Sequence, residues 1–203
     1  MKILPQSFYN RPTLTVAREL LGARLVRTLD GVRLSGIITE AEAYIGEEDQ
    51  GCHAKAGRTP RTAVMYGPPG HAYVYFTYGM HWMLNAVTGP EGFPSAVLIR
   101  AFQPLEGLEV ISTRRSGRGT DGPAKLTQAL GIGLAQNGIN LCGRAANLWI
   151  EAGIAVPDSS VEIGPRVGLY TVPEPWKSKP WRFRVAHDLT PYPSPEGEGR
   201  RRK

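Results

Sequence analysis

Apolar residues along the chain follow both a helical and an alternating period, and together they predict a mixture of helices and strands. Between Pro12 and Gly22 the apolar positions recur at helical spacing. Proline at the start and glycine just past the end are typical of an amphipathic helix. The segments ARLVRTL and VRLSGIITEAEAYIG then flank the Asp-Gly pair at 30–31, which favours a type I′ turn between antiparallel strands.

The second strand of this predicted hairpin carries two carboxylates. Strict alternation places Glu40 and Glu42 on the same face as Leu34 and Ile38, with Tyr44 following, because successive side chains of a strand point to opposite faces. The two carboxylates are therefore expected to extend an apolar stripe.

The rest of the chain predicts a long loop and several shorter elements. Residues 46–70 lack clean periodicity and are rich in glycine, proline and polar groups; loops of this length are usually functional or disordered. SAVLIRAFQPL predicts a buried strand that ends at Pro104, followed by a helix over about 105–115, and another helix begins after Asp121 with Pro123 in its first turn. NLWIEAG, RVGLYTV and WRFRVA predict further short strands. The elements indicate an α+β fold around a largely antiparallel sheet.

Aromatic residues are concentrated in HAYVYFTYGMHWMLN, residues 71–85, which hold five of them between positions 73 and 82. If 73–78 is a strand, Tyr73 and Tyr75 point to one face, and Val74 and Phe76 to the other, where we expect them to belong to the core. Aromatic residues favour strands and commonly fill a core. They also form stacking surfaces for nucleic-acid bases beside cationic side chains. Composition alone leaves both interpretations open.

Composition and charge restrict the class of protein only weakly. The chain has 203 residues, 41% of them hydrophobic, which is enough for one well-buried domain. A net charge of +6 favours a polyanionic partner, although the final four residues, RRRK, supply four of the positive charges. Residues 1–188 are expected to form the domain, and 189–203, which are poor in apolar residues, a disordered basic tail.

We also expect no targeting signal and no membrane-spanning segment in the chain. Its first residues lack the apolar core of a signal peptide, and its apolar runs are too short to span a bilayer. Cys52 and Cys142 form no CxxC motif. We therefore expect a soluble intracellular protein with reduced thiols and no membrane partner.

Glu42 is the first candidate for chemistry. A carboxylate that continues an apolar strand face is partly desolvated and can act as a general base, whereas the alternative is a solvated glutamate at the end of a strand. Glu40 and Glu42 could serve as the acid and base of a sugar hydrolase. Neighbours on one strand face, however, have Cβ atoms ~7 Å apart and point in parallel rather than flanking a bond, which disfavours that pairing.

Other familiar motifs are missing from the sequence. The four histidines form no metal-binding pattern with each other or with a cysteine pair, so a metal site is not predicted. His53 could have a hydrogen-bonding or stacking role, or could be an ordinary loop residue. There is no nucleophile elbow, phosphate loop or dinucleotide fingerprint.

The ordered series of longer motifs is more informative than any single one. TEAEAYIGEEDQGCHAKAGRTPRT, YVYFTYGMHWMLN, AVLIRAFQPLEGLE, GPAKLTQALGI, PRVGL and KPWRFRV occur in this order. Together they resemble the alkylpurine (3-methyladenine) DNA glycosylase family of mammals and many bacteria, over roughly residues 3–187. The resemblance does not extend to the helix-hairpin-helix glycosylases.

The resemblance implies a compact single domain with a curved antiparallel sheet surrounded by helices, which binds DNA through the minor groove as a monomer and needs no metal or organic cofactor. The substrates implied are alkylated or deaminated purines in duplex DNA, of the 3-methyladenine, 7-methylguanine, hypoxanthine and ethenoadenine class. Such an enzyme starts base excision repair, and it works in the cytoplasm at a bacterial nucleoid or in a eukaryotic nucleus. The alternative is a catalytically silent nucleic-acid-binding module on the same fold.

The resemblance also implies roles for particular residues. Glu42 matches the residue that activates a water to attack the sugar C1′ atom, and Arg100 matches one that supports the water and the nucleotide backbone. The residues that contact the flipped base are matched by Tyr44, His53 and Tyr75, with Asn85 as the pocket residue that discriminates against undamaged guanine. Because water rather than a lysine amine attacks C1′, no lyase activity is expected.

Further matches concern the DNA duplex. Tyr78 matches the residue that wedges into the duplex and fills the gap, and Met80 beside it is expected to contact DNA. Lys125 is a candidate phosphate contact, with a solvated helix lysine as the alternative. Arg58 and Arg61 could also meet phosphate or instead anchor their loop. His81, Ala124 and Thr127 depart from the family pattern, which leaves the preference among damaged bases open.

Overall fold

Eight strands and four α-helices make up residues 1–186, the part of the chain that the computed structural model describes. The helices are α1 Gln6–Tyr9, α2 Thr13–Leu20, α3 Leu108–Arg115 and α4 Pro123–Leu130. The strands are β1 Arg24–Leu29, β2 Val32–Ile45, β3 Ala72–Thr77, β4 His81–Val87, β5 Ser95–Glu106, β6 Leu148–Glu151, β7 Val161–Gly164 and β8 Arg182–Val185. The tail predicted at 189–203 lies outside the described residues.

All strands belong to one curled antiparallel sheet, which confirms the predicted α+β fold class. The strand order is β3-β4-β5-β2-β1-β6, and β8 pairs with both β2 and β7. The sheet branches at β2, whose first half pairs with β1 and whose second half pairs with β8, while β5 runs along its other edge. The longest described α-helices have eight residues, well short of a bilayer crossing.

The predicted hairpin between β1 and β2 is confirmed. Leu29 pairs with Val32, and the two residues between them, Asp30 and Gly31, have φ angles of 50° and 78°. Both positive values are those of a type I′ turn, whose twist matches that of the flanking strands.

A β-bulge in β2 corrects the predicted face of the carboxylates. The pairing of β2 with β5 shifts register between Ile38 and Ala41, and a bulge of this kind interrupts strict alternation. Ile38, Ala41 and Ala43 all belong to the main hydrophobic core. Glu40 and Glu42 therefore point away from the helix-packed core instead of extending the stripe that begins at Leu34.

The sheet packs helices on one face and a loop on the other. Core residues of α2 and α4, such as Leu20 and Leu126, lie against the first face. On the other face, the loop 46–70 contributes Cys52 and Met65 to a second cluster that includes Tyr73. The loop was predicted as such, and it contains two 3₁₀ helices, His53–Ala56 and Ala63–Tyr66. A cavity forms where this loop meets the sheet.

Two predicted elements need correction. The strand β5 continues two residues past Pro104. Pro104 pairs beside a register irregularity, which is a position where a strand tolerates proline. RVGLYTV is not a strand: residues 166–172 form turns and bends, Gly168 has a φ of 84°, and the Val167 N–H bonds to a side chain rather than to a neighbouring strand. The strand β7 just before this segment was not predicted.

Gly36 lies on β2, where a side chain would collide with β5, and Gly36→Ala tests how tightly the two strands pack. An added Cβ would overlap the Phe102 ring and lie 2.5 Å from the Gln103 carbonyl oxygen. We expect Gly36→Ala to lower the free energy of unfolding by about 1–3 kcal/mol, measured by urea unfolding followed by circular dichroism. Gly143→Ala, which meets nothing within 4 Å, should change it by about 0 to +1 kcal/mol. Equal effects would contradict the packing described.

Candidate active site

A cavity of about 300 Å³ lies between the loop 46–70, the strands β3 to β5 and the segment 167–169. Its lining brings together six residues predicted to act in the site, which are Tyr44, His53, Tyr75, Tyr78, Asn85 and Arg100. Tyr73, Met83, Pro123 and Val167 also line it, although no role was predicted for them. With polar groups placed among aromatic walls, the cavity has the character of a ligand-binding site.

Glu42 lies directly behind this cavity and is fully buried. Its Oε1 accepts a hydrogen bond of 2.7 Å from the Val167 N–H. Its Oε2 accepts bonds from the Tyr44 hydroxyl at 2.9 Å and from Arg100 Nη1 at 3.2 Å. All three donors line the cavity, so the carboxylate lies next to the cavity wall that its partners form.

The pKa of Glu42 is raised above its ordinary value. Burial is the main cause, because it penalises the charged form. Arg100, the Val167 N–H and the Tyr44 hydroxyl oppose it by stabilising the anion. The outcome is a carboxylate that accepts a proton more readily than a solvated one, which is what a general base requires.

Glu40 completes the arrangement around Arg100. The Arg100 Nε donates to Glu40 Oε1 at 2.8 Å, while Nη1 bonds to Glu42. Arg182 Nη1 also donates to Glu40, at 3.3 Å. Both carboxylates thus accept charge-assisted hydrogen bonds from the same guanidinium. This arrangement further disfavours their use as an acid and base on opposite sides of a sugar bond.

His53 is held as a neutral ring at the cavity wall. Arg61 Nη2 lies 3.4 Å from His53 Nε2 and can only donate to it, which leaves Nδ1 to donate to the Tyr73 hydroxyl at 3.0 Å. Burial, reinforced by Arg61 and Lys55, lowers the pKa of His53 to about 4. The ring also meets Tyr75 edge to face, with centroids 4.4 Å apart.

Arg166 and Asp49 form a fully buried ion pair beside the site that sequence reasoning missed. Arg166 binds both carboxylate oxygens, at 2.5 and 2.8 Å. It also donates to the carbonyls of Ala43 and Trp176, and its guanidinium carbon lies 4.6 Å from the centre of the Tyr44 ring. No local pattern links two residues 117 positions apart, and the sequence suggested only a short strand and a family motif around Arg166.

Tyr73 and Asn85 form another wall. The two residues are register partners on β3 and β4, and Asn85 Nδ2 donates to the Tyr73 carbonyl at 2.9 Å. Asn85 is buried, and this hydrogen bond fixes the position of its side chain at the cavity wall. Alternation along β3 is confirmed for Tyr73 and Tyr75, which face the cavity side, and for Val74, which belongs to the main core.

The hairpin tip between β3 and β4 presents large apolar side chains to solvent. Tyr78 is 79% exposed and Met80 68% exposed. Tyr78 also has a φ of 52°, an uncommon and costly conformation for a bulky residue. Phe76 was expected in the core but is 45% exposed. It lies near the hairpin tip, where its ring packs against Trp82 with ring centroids 4.8 Å apart.

The predicted phosphate contacts differ in their surroundings. Lys125 bonds to Asp121 at 2.9 Å and lines a neighbouring cavity of about 900 Å³ with Met80. Arg58 is exposed, with its guanidinium 5.8 Å from the Tyr66 ring centre. Arg61 instead lies against His53 and Tyr75. Within residues 1–186, no group of three or more His, Cys, Asp or Glu side chains is arranged to hold a metal ion.

Comparison with known proteins finds similar sequences over most of the chain. The profile of the methylpurine-DNA glycosylase family matches residues 7–189. A protein of Myxococcus xanthus is 50% identical over 185 residues, covering 91% of each chain. One from Methanocella arvoryzae is 47% identical over 188 residues, covering 90% of this chain and 92% of the relative. One from Carboxydothermus hydrogenoformans is 46% identical over 190 residues, covering 92% and 96%. Each is provisionally named a 3-methyladenine DNA glycosylase.

The buried ion pair generates a stability prediction. Asp49→Ala leaves the Arg166 charge buried without its partner, which costs about 3–5 kcal/mol of unfolding free energy. The matched control is Glu162→Ala, which removes a carboxylate from the exposed pair with Arg184 and should cost about 0–1 kcal/mol. Urea unfolding of both variants measures the difference. Similar losses would mean that the Arg166–Asp49 pair does not support the fold in the way described.

Proposed function

Because this chain belongs to the methylpurine-DNA glycosylase family, whose members are DNA N-glycosylase hydrolases, we propose that it releases alkylated and deaminated purines from duplex DNA. The observation that carries the proposal is the buried Glu42 carboxylate behind an aromatic cavity. A pure binding module would not need a buried carboxylate with a raised pKa at such a position.

The base enters the cavity by rotating out of the duplex. Enzymes that act on a base take it out of the stack, and a damaged, weakly paired base lowers the cost of doing so. Tyr44, His53 and Tyr75 hold the extruded base between their rings. Asn85 discriminates against undamaged guanine. Cavity dimensions support this assignment, since about 300 Å³ is of the size that encloses a small ligand.

Glu42 then activates the attacking water. The water lies at the inner end of the cavity, where Arg100 and Val167 line the wall next to the carboxylate. Its oxygen forms the new bond to C1′, its proton passes to Glu42, and the bond between C1′ and the base nitrogen breaks, with its electrons leaving on the base. A cationic base such as 7-methylguanine departs neutral, whereas a neutral base such as hypoxanthine must also gain a proton. No lysine is among the described residues that line the cavity, which supports water rather than an amine as the nucleophile.

The hairpin tip meets the DNA from the minor groove. Tyr78 occupies the space that the extruded nucleotide leaves, since apolar wedges of this kind insert between base steps, and Met80 contacts the neighbouring bases. Lys125 and Arg58 meet phosphates on either side, which the net charge of +6 favours. The protein acts as a monomer in the compartment that holds the chromosome, the cytoplasm of a bacterium or a eukaryotic nucleus.

Glu42→Gln tests whether Glu42 is the general base. Duplexes with a single 7-methylguanine or hypoxanthine are incubated with the protein, and released base is detected as alkali-labile abasic sites. We expect the variant to lose about 10²- to 10⁴-fold in rate and to bind the damaged duplex within a few-fold of the parent. Glu162→Gln, an exposed strand carboxylate, should retain its rate within about twofold. Release of the damaged purine by Glu42→Gln at the parent rate would exclude Glu42 as the general base. A parent protein that binds the duplex but never releases a purine would favour the silent binding module.

The rate should depend on pH through Glu42. Its ionised form is the active one, and its pKa lies above the ordinary 4.5, so the rate falls as the pH drops through a midpoint higher than 4.5. Single-turnover release of 7-methylguanine, which needs no proton to leave, measures this midpoint.

Tyr44→Phe provides a directional check on that midpoint. The variant removes a hydrogen bond to the Glu42 anion and should therefore shift the acid limb to higher pH. An acid limb at or below pH 4.5 in the parent, or a downward shift in the variant, would contradict the assignment.

A further inference from the structure

Two aromatic walls of the cavity already carry an arginine. The guanidinium carbon of Arg166 lies 4.6 Å from the Tyr44 ring centre, and that of Arg61 lies 5.3 Å from the Tyr75 ring centre. Both rings line the cavity. A cation is attracted to an aromatic face by the ring quadrupole, so each ring has one such interaction before any base is bound.

These arginines change what the rings favour as a partner. A bare aromatic pair would attract a base that carries positive charge, such as an N7-alkylated purine. With a guanidinium already on each ring, a second cation gains the ring attraction but meets like-charge repulsion, which is stronger near a partly buried site than in bulk water. A neutral purine stacks on the same rings without that repulsion.

The charge of Arg61 is also not balanced locally. Arg166 is paired with Asp49, and Arg100 is paired with Glu40 and Glu42. Among the residues that the structure describes, Arg61 forms no ion pair; its polar partners are the neutral His53 ring, at 3.4 Å, and the Tyr73 side chain. The low pKa of His53, about 4, reflects burial first and the Arg61 charge second. Arg61 does not itself line the cavity but lies against the Tyr75 ring that does, so it adds positive potential behind that wall.

We propose that Arg61 is a specificity-determining residue that biases the cavity toward neutral damaged purines, such as hypoxanthine, and against purines that carry a positive charge, such as 7-methylguanine. The inference rests on the proposed function and names which part of its substrate class the site favours. A phosphate contact by Arg61 is the competing role. That role would weaken the binding of every duplex alike and would leave the ratio between two bases unchanged.

The experiment is a competition between two substrates in one reaction. Duplexes of identical sequence, one with 7-methylguanine and one with hypoxanthine, carry different fluorophores, and the relative rates of release give the ratio of their kcat/KM values. We expect Arg61→Gln to raise the ratio of 7-methylguanine to hypoxanthine by about 3- to 10-fold, as loss of roughly one unit of charge near the base implies. Arg61→Lys, which keeps the charge, should stay within about twofold of the parent.

Arg58→Gln is the matched control, because it removes the same charge from the same loop at a residue that lies over Tyr66 rather than Tyr75. It should change both rates by a common factor and leave the ratio within about twofold of the parent. Raising the salt concentration should move the parent ratio toward that of Arg61→Gln, since exposed charges are screened, and should move the ratio of Arg61→Gln much less.

The outcomes distinguish failure of the Arg61 inference from failure of the proposed function. If the parent releases both bases and Arg61→Gln keeps the parent ratio, or Arg58→Gln raises it equally, the bias does not come from Arg61 and this inference is wrong while the proposed function stands. If the parent releases neither base from duplexes that it binds, the proposed function fails and the inference fails with it.

Discussion

The buried ion pair between Arg166 and Asp49 connects the parts of the cavity that are far apart in the chain. Burying two charges is costly unless their geometry is good and their remaining hydrogen-bonding capacity is used. Arg166 meets most of this condition with both oxygens of Asp49 and two backbone carbonyls, while its Nε is buried with no hydrogen-bond partner among the described residues. As a result the loop that contains Asp49, the Tyr44 ring and the segment beginning at Val167 are held in one arrangement.

The chemistry at Glu42 depends on this arrangement through a balance of opposing effects. Burial disfavours the anion and raises the pKa of Glu42, while three hydrogen-bond donors oppose this rise by stabilising the anion. One donor, the Val167 N–H, comes from the residue next to Arg166, and another, the Tyr44 hydroxyl, belongs to the ring on which Arg166 lies. Positioning and basicity of Glu42 are therefore consequences of the same packing.

Local patterns predicted the elements well where the signal is itself local. The Asp30-Gly31 turn, the helix that starts at Pro123 and the alternation of Tyr73 and Val74 all follow from backbone preferences over a few residues. The errors fall where a distant partner decides. RVGLYTV alternates like a strand but gives a backbone N–H to Glu42, and the bulge at Ile38 reverses the face that alternation assigned to both carboxylates.

The sequence by itself determined the α+β class, the antiparallel hairpin, the order of motifs that carries the family resemblance, and six of the residues that line the cavity. Tertiary structure alone decided that Glu42 is fully buried behind that cavity, that Arg61 faces Tyr75, and that Asp49 pairs with Arg166. The physical reason is range: propensity and periodicity act over a few residues, whereas desolvation and charge pairing depend on groups that folding brings together from across the chain.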